Sequence, residues 1–179
     1  DACLVGSEMC IRDSSENESF ISISGKLAQA YVDNATIILD RKLSGSHKGN
    51  CTQDAGEGKT HSDPFGVFSI SAPHHDFVIC TIGGTYKNSK GDDVPASPML
   101  APTPDSSNSA WNVTPLTTLV TTHPELKNKL DEMGGWNADI ASPEGVPGRL
   151  LRLAKTVETF DGMTKQINQG DQQRLKTME

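Results

Sequence analysis

At 179 residues, the chain can hold one sizeable domain, or one small domain with an appendage. Its formal net charge of −7 argues against a nucleic-acid-binding surface, because such a surface needs a basic patch to displace counterions from phosphates. No apolar run reaches the roughly 20 residues of a membrane-spanning helix. We therefore expect a globular protein with no nucleic-acid partner and no transmembrane segment.

Residues 1–19 are polar and acidic, and we expect them to form an arm ahead of the folded part. The chain begins at Asp1 rather than at methionine, which indicates either a removed signal peptide or a chain cut at this point. No basic and apolar leader remains to decide between the two.

Four cysteines, Cys3, Cys10, Cys51 and Cys80, form an even set without the close spacing of zinc fingers, haem attachment or redox motifs. Two disulfides in an oxidising compartment are the simplest interpretation, and four thiols in a cytosolic protein are the alternative. Several pairings are open to four cysteines. We predict Cys51–Cys80, because both lie in the β-rich region and can approach, and Cys3–Cys10, because both lie close together on the arm.

The first strand is predicted from Phe20, where apolar and polar residues begin to alternate so that Ile21 and Ile23 share one face. Residues 43–58 hold four glycines and predict a loop. Residues 94–110 hold four prolines and predict an ordered crossing or a linker. Further strands are predicted where β-branched and aromatic residues lie between turn-forming residues, at 34–41, 67–72 and 77–82.

The loop after the 34–41 strand is acidic and rich in glycine, and we interpret it as the loop of a hairpin that the strand from Val67 closes. Calcium binds about six to eight oxygen atoms on flexible loops of this kind. The alternative is an ordinary acidic surface loop, which also contains Lys48 and Lys59. As the carboxylate ligands of the predicted calcium site we name Asp40, Asp54, Glu57 and Asp63.

Helices are predicted after residue 110. Thr114 is a suitable N-cap for a helix that begins at Pro115. A second helix should begin near Pro124 and end at Gly134. Apolar residues that recur every three or four positions from Val146 to Ile167 predict a third helix, anchored in the core by Leu150, Leu153, Val157 and Phe160.

The sequence contains no motif that predicts catalysis. Nucleophile motifs of the GxSxG and SxxK types do not occur, and no cysteine outside the predicted disulfides has a histidine base. His74 and His75 are adjacent, so on an extended segment their side chains point opposite ways and do not share one metal ion. These two, with His47 and His61, are typical of solvated turns, and His123 is typical of a helix start. We therefore expect no enzyme.

The order of the elements, strands followed by helices, predicts an α+β fold rather than alternating βαβ units. We expect three parts. They are a polar arm over residues 1–19, a β-domain over residues 20–110, and a helical region over residues 111–179 that packs on the β-domain.

Several segments between residues 22 and 160 occur in an order that resembles a family of bacterial secreted and surface proteins. They are SGK at 24–26, NATIILD at 34–40, SDPFGVFSI at 62–70, FVICTIGGT at 77–85 and NVTPLTTLV at 112–120. The family is built on the transthyretin-like domain of the carboxypeptidase-regulatory type. The resemblance implies an antiparallel transthyretin/Ig-like β-sandwich with a C-terminal helical appendage. It also implies calcium in the acidic loop, because residues 54–57 match the Asp-x-Gly-Glu end of the family's loop.

On these grounds we expect a non-enzymatic structural or adhesive module that is secreted, extracellular or on the cell surface. The expected partners are other surface proteins or copies of the chain, joined into a fibre where one copy adds a strand to an open sheet edge of the next. The segment ESFISIS at 18–24 is either such a donor strand or the domain's own first strand. The alternative function is a secreted or periplasmic ligand-binding domain with its site in the loops near His74 and His75.

Overall fold

The computed structural model of the chain describes residues 20–41, 51–73, 76–104, 110–142 and 144–160. Antiparallel strands are followed by helices in this part of the chain, so the predicted α+β class is confirmed. The strands are β1 (Phe20–Lys26), β2 (Thr36–Arg41), β3 (Lys59–His61), β4 (Val67–Pro73), β5 (Phe77–Ile82), β6 (Thr85–Lys87), β7 (Asp93–Pro95) and β8 (Met99–Pro102). The helices are α1 (Pro115–Thr122), α2 (Lys127–Glu132), which follows a 3-10 turn at Pro124–Leu126, and α3 over residues 148–160.

The strands form three antiparallel sheets within the described residues. One sheet has the order β3-β2-β5-β8, and the other two are the pairs β1-β4 and β6-β7. In the four-stranded sheet, Ile38 lies opposite Cys80 and Asp40 lies opposite Val78. Because side chains alternate along a strand, these four side chains share one face of the sheet, and Ile37, Leu39 and their neighbours share the other.

The pairing of β2 corrects the predicted hairpin. We expected the strand from Val67 to return against the 34–41 strand, but β4 pairs with β1 along its whole length. The strand that returns against β2 is β3, and β5 pairs with its other side. The sequence concealed β3 because Lys59–His61 is three residues long and carries no apolar pattern.

Part of the segment 94–110, which was predicted to be an ordered crossing or a linker, forms strands. Met99–Pro102 forms β8 and pairs with β5, and Asp93–Pro95 forms β7 and pairs with β6. Proline lacks a backbone donor, so it is tolerated where a strand has only one hydrogen-bonded neighbour. β8 lies at the end of its sheet, and Pro102 is accommodated there.

One hydrophobic core joins the sheets to the helices. Full burial of a large apolar side chain contributes about 1.5–3 kcal/mol, so this shared core is a major source of stability. The pair β1-β4 contributes Ile23, Phe68 and Ile70. The four-stranded sheet contributes Ile37, Leu39, Phe77, Ile79, Met99 and Ala101, and the helices contribute Leu116, Val120, Leu130, Leu150 and Ala154.

The predicted anchors of α3 are only partly correct. Leu150 is fully buried and Leu153 and Val157 are half-buried, but Phe160 is 69% exposed. The buried line of the helix runs through Leu150 and Ala154, and Leu153 packs beside it against the core. At 3.6 residues per turn, Phe160 lies within about 20° of Leu153 around the helix, but it stands at the last described turn and its ring is exposed there. Thr164 and Ile167 of the predicted stripe lie outside the described residues.

A segment over residues 111–118, which we call the strap, runs alongside β1. Trp111 N donates to Ser24 O at 2.9 Å, and Val113 N donates to Lys26 O at 2.8 Å. Gly25 lies between these contacts, and a Cβ at this position would stand 2.1 Å from Trp111 O. The glycine of the SGK motif is therefore required so that the strap can reach β1.

The strap also covers the far edge of the four-stranded sheet. Thr114 caps α1, with its hydroxyl accepting from the backbone N–H groups of Leu116 and Thr117, as its sequence predicted. In the first turns of α1, the hydroxyl of Thr118 accepts from Leu100 N at 2.9 Å, and that of Thr117 donates to Leu100 O at 2.7 Å. These two bonds occupy backbone groups of β8 that an open edge would present to another strand.

We expect the strap to be a measurable source of stability. In Thr118→Val the Leu100 N–H loses its acceptor, which should lower the free energy of unfolding by about 1–3 kcal/mol. Chemical denaturation of the full chain measures this loss. The matched control is Thr122→Val, because that hydroxyl bonds only to carbonyls of its own helix and its loss should change stability by less than about 0.5 kcal/mol. Equal losses in the two variants would contradict the role of the strap.

Candidate functional site

The acidic loop is fastened to the sheet by a disulfide. The predicted Cys51–Cys80 bridge is present, with the two Cα atoms 5.5 Å apart. Cys80 is fully buried in β5 and Cys51 is half-buried at the end of the loop. Cys3 and Cys10 lie outside the described residues, so their pairing stays a prediction.

Asp40 lies beside this disulfide and is fully buried at the end of β2. Its Oδ2 atom accepts a hydrogen bond from Cys51 N at 2.5 Å. Burial of a carboxylate is costly unless hydrogen bonds compensate for lost water, and the loop backbone supplies such a bond. Asp40 therefore helps to hold the returning loop over the sheet.

Glu57 fixes the other half of the loop. Its Oε1 accepts from Arg41 N at 2.7 Å, and its Oε2 accepts from Asp54 N at 2.8 Å. The backbone N–H of Glu57 in turn donates to Asp54 O at 3.2 Å. Both oxygens of this buried carboxylate thus bind backbone N–H groups, and they close a turn against the end of β2.

Asp63 lies at the opposite end of β2 from the other predicted ligands. The register places Lys59 against Ile38 and His61 against Thr36, so the chain has moved away from Asp40 by the time it reaches Asp63. The intervening strand spans roughly 15 Å at about 3.3 Å per residue. The structure therefore brings Asp40, Asp54 and Glu57 to one end of β2 and does not bring Asp63 to them.

The side chain of Asp63 instead builds the turn between β3 and β4. Its Oδ1 atom accepts from Phe65 N at 2.9 Å and from Val67 N at 2.8 Å. Gly66, with φ +72°, completes the turn, and its N–H donates to Asp63 O. At the tip of this fixed turn, the Phe65 side chain is 70% exposed, and Val67 beside it is 42% exposed.

A polar cluster lies next to that turn, because Lys26 is the cross-strand neighbour of Val67. Lys26 Nζ is 2.8 Å from Asp139 Oδ2 and 3.3 Å from the Tyr31 hydroxyl, which donates to the same carboxylate oxygen at 3.1 Å. The bond to Asp139, followed by that to Tyr31, raises the pKa of Lys26 above its usual value. Lys26 is therefore an ammonium at neutral pH and not a nucleophile.

Lys26, Val67 and Asp139 border an open cleft of about 380 Å³. The Oδ1 atom of Asp139 is buried and, within the described residues, makes no hydrogen bond. We use the name Phe65 face for the exposed Phe65 and Val67 together with this cleft. The lining of the cleft is Ser24, Gly25, Lys26, Val67, Ala110, Asn112 and Asp139.

A second concave surface lies between α1, α3 and the start of β8, and we call it the α1–α3 groove. Its volume is about 250 Å³. Gln29 donates to Glu158 Oε1 at 3.0 Å across one side, and Gln29 Oε1 accepts from Ser97 N. The other lining side chains are mostly apolar: Pro98, Met99, Pro115, Leu119, Val157 and Phe160, with Thr118, Thr122 and His123.

The histidines that the sequence singled out are not gathered in one site among the described residues. His61 is exposed on β3, and His123 lies at the end of α1 with its Nδ1 3.3 Å from Glu125 Oε1. His47, His74 and His75 lie outside the described residues, so the expected ligand site near the latter two stays untested.

Sequence reasoning missed the Phe65 face. No local pattern links Lys26 to Asp139, because the two lie 113 residues apart. The Phe65 turn did leave a signal, since Asp-Pro-x-Gly is typical of a tight turn in which the aspartate side chain bonds the backbone. We had instead assigned Asp63 to the calcium site.

Comparison of the chain with protein-family models, curated proteins and solved structures gives no significant match. The resemblance to transthyretin-like surface proteins therefore stays a prediction. So does the calcium site, and the hydrogen bonds of Asp40 and Glu57 give these carboxylates a structural role that needs no ion.

Thermal unfolding with chelator and with millimolar calcium decides between these two roles. An ion held by Asp40, Asp54 and Glu57 should stabilise the fold by about 2.7 kcal/mol at a hundred times its dissociation constant. Glu57→Gln should lose this increment, whereas Asp63→Asn should keep it, because Asp63 lies at the other end of β2. Identical midpoints with chelator and with calcium would contradict the calcium prediction and leave the backbone bonds as the whole role of these carboxylates.

Proposed function

We propose that the chain is a non-enzymatic extracellular structural or adhesive surface module, built on the transthyretin-like β-sandwich that its motifs resemble. The observation that carries the proposal is the Phe65 turn. A large aromatic side chain stands 70% exposed there, on a turn that Asp63 and Gly66 hold in one conformation. Such a feature contributes little to the fold and is suited to contact with another molecule.

The physical reason lies in the cost of association. Binding loses affinity when loops and side chains must be ordered at the moment of contact. The Phe65 turn is already ordered by two backbone bonds to one carboxylate oxygen, so this cost is small. Aromatic residues are also the commonest anchors of protein interfaces, where a few side chains carry most of the binding energy.

The neighbourhood of Phe65 supports the same proposal. Interfaces combine an apolar centre with a polar rim. Phe65 and Val67 supply the apolar part, and the cleft with Lys26, Asp139 and Asn112 supplies fixed polar groups. The partner is therefore a protein surface, either another surface protein or a second copy of the chain.

Strand addition is not the mode of contact that we propose at β1 or β8. Residues 20–24 of the segment ESFISIS lie in β1, which pairs with β4 of the same chain. The strap bonds to the outer edge of β1 at Ser24 and Lys26, and the threonines of α1 bond to the outer edge of β8 at Leu100. A donor strand at these positions would have to displace the contacts first, so the fibre that we propose forms through side-chain surfaces such as the Phe65 face.

Two further observations support an extracellular sandwich. The Cys51–Cys80 disulfide is compatible with an oxidising compartment. The pair β1-β4 and the four-stranded sheet contribute to one common core, as the two layers of a sandwich do.

In the described part of the chain, no helix has the length and hydrophobicity to cross a membrane.

A ligand-binding domain is the second candidate function, and the α1–α3 groove favours it. The groove is concave, mostly apolar and bordered by a few polar groups, which is the usual character of a small-molecule site. Its volume of about 250 Å³ suits only a small ligand. The α1–α3 groove is a second place for such a site, beside the loops near His74 and His75, which lie outside the described residues.

Two exposed phenylalanines separate the two candidate functions, because Phe65 and Phe160 are equally accessible and lie on different surfaces. For adhesion, Phe65→Ala should weaken self-association, or adsorption to intact bacterial cells, by about 2 kcal/mol or more, roughly thirtyfold. Phe160→Ala should leave both unchanged. Sedimentation velocity over a wide concentration range and a cell-adsorption assay provide the measurements.

For ligand binding, the opposite pattern is expected. An anilinonaphthalene sulfonate probe should fluoresce in the α1–α3 groove, and Phe160→Ala should reduce its binding while Phe65→Ala does not. If Phe65→Ala alters neither self-association nor adsorption, the adhesive proposal is contradicted.

A further inference from the structure

We propose that reduction of the Cys51–Cys80 disulfide turns this corner of the sheet into a zinc-binding site completed by Asp40. One carboxylate oxygen of Asp40 and the two Sγ atoms lie within 4.8 Å of one another. Thiolate and carboxylate groups are both ligands of Zn²⁺ in proteins. The oxidised chain does not offer this site, because both sulfur atoms are consumed in the covalent bond.

The sheet register places two of the three ligands independently of the disulfide. Asp40 on β2 and Cys80 on β5 lie on the same face of antiparallel neighbours, two register positions apart along the ladder. Both are fully buried. Their positions depend on backbone pairing and core packing rather than on the sulfur–sulfur bond.

The third ligand, Cys51, is held in place by a backbone hydrogen bond that does not involve its sulfur atom. Cys51 N donates to Asp40 Oδ2, so the carboxylate keeps the Cys51 backbone next to Cys80 when the sulfur–sulfur bond is open. The two Cα atoms are 5.5 Å apart, and rotation about the Cα–Cβ bonds lets the thiols separate to positions around one ion. The reduced site therefore needs little rearrangement of the backbone.

The coordination that results is that of an incomplete tetrahedron. Zn²⁺ binds sulfur at about 2.3 Å and carboxylate oxygen at about 2.0–2.2 Å, usually with four ligands. The described residues supply two sulfurs and one oxygen. Cys51 is half-buried, so the ion reaches the site from that side, and the fourth position is open to a water molecule.

A thiol or phosphine reductant supplies the two electrons that open the disulfide. A phosphine and one water molecule reduce the disulfide to two thiols, and the phosphine leaves as its oxide. On zinc binding, both thiols release their protons to solvent, because the thiolate is the ligand. The bound ion then carries two thiolates and one carboxylate, which offset its charge in a buried place.

The test uses the full chain with Cys3→Ser and Cys10→Ser, so that only Cys51 and Cys80 supply thiols. After phosphine reduction, Co²⁺ serves as a spectroscopic substitute for Zn²⁺. We expect one ion per chain, with thiolate-to-cobalt charge-transfer absorption that Zn²⁺ abolishes. The oxidised chain should show neither signal, and Zn²⁺ should raise the melting temperature of the reduced chain only.

Asp40→Asn tests whether the Asp40 carboxylate is a ligand of the ion. It keeps the shape and an acceptor for Cys51 N but removes the charge, and zinc affinity should fall by at least about tenfold. Asp54→Asn is the matched control on the same loop and should leave zinc affinity unchanged. The proposal is overturned by equal affinities in Asp40→Asn and the parent chain. It is equally overturned if the reduced chain binds no Co²⁺, or unfolds and is not refolded by Zn²⁺.

Discussion

The hydrogen bonds of the 111–118 strap are the constraint on which the rest of the structure depends. At one end the strap bonds to β1 through Trp111 and Val113, and at the other it bonds to β8 through Thr117 and Thr118. The edges of two separate sheets are thereby joined by one short segment. The strap thereby closes one side of the common core between the β1-β4 pair and the four-stranded sheet. On the opposite side, Gly58 ahead of β3 packs closely against β4.

Both candidate binding surfaces are built against this strap. Asn112 forms part of the cleft of the Phe65 face, and its Oδ1 accepts from Lys26 N at 3.1 Å. Pro115 and Thr118 of the strap line the α1–α3 groove. The polar groups of the acidic loop and of α1 bond mainly to the chain's own backbone, which leaves Phe65 and its neighbours to face a partner. The residues of the strap thus both close the fold and form part of the two candidate binding surfaces.

Local patterns in the sequence predicted what local forces determine. The alternation around Ile23, the Thr114 cap and the Cys51–Cys80 pair all appear in the structure. Long-range pairing was not predictable in the same way. β4 could pair with β2 or β1 on its own pattern, and only the Asp63 turn and the shared core select β1. β3 is too short to leave a pattern, because its stability comes from its neighbours.

The candidate sites show the same difference between what local patterns predict and what long-range contacts decide. The acidic residues attracted a metal interpretation because carboxylates that bind backbone N–H groups look the same in a sequence as carboxylates that bind calcium. In the structure, both carboxylate oxygens of Glu57 accept hydrogen bonds from backbone N–H groups, which the sequence does not show. The Lys26–Asp139 contact joins residues 113 positions apart in the sequence. Phe160 follows the same apolar periodicity as Leu153, although its side chain is exposed.

Residue-level amide hydrogen exchange in the native full chain tests the closing role of the strap most directly. The N–H groups of Leu100, Trp111 and Val113 should exchange slowly, in one cooperative unit with core amides such as that of Leu39. The exposed turn at Lys90 and Gly91 gives the reference for fast exchange. Exchange of Leu100 and Val113 as fast as that turn, while Leu39 stays protected, would contradict the account.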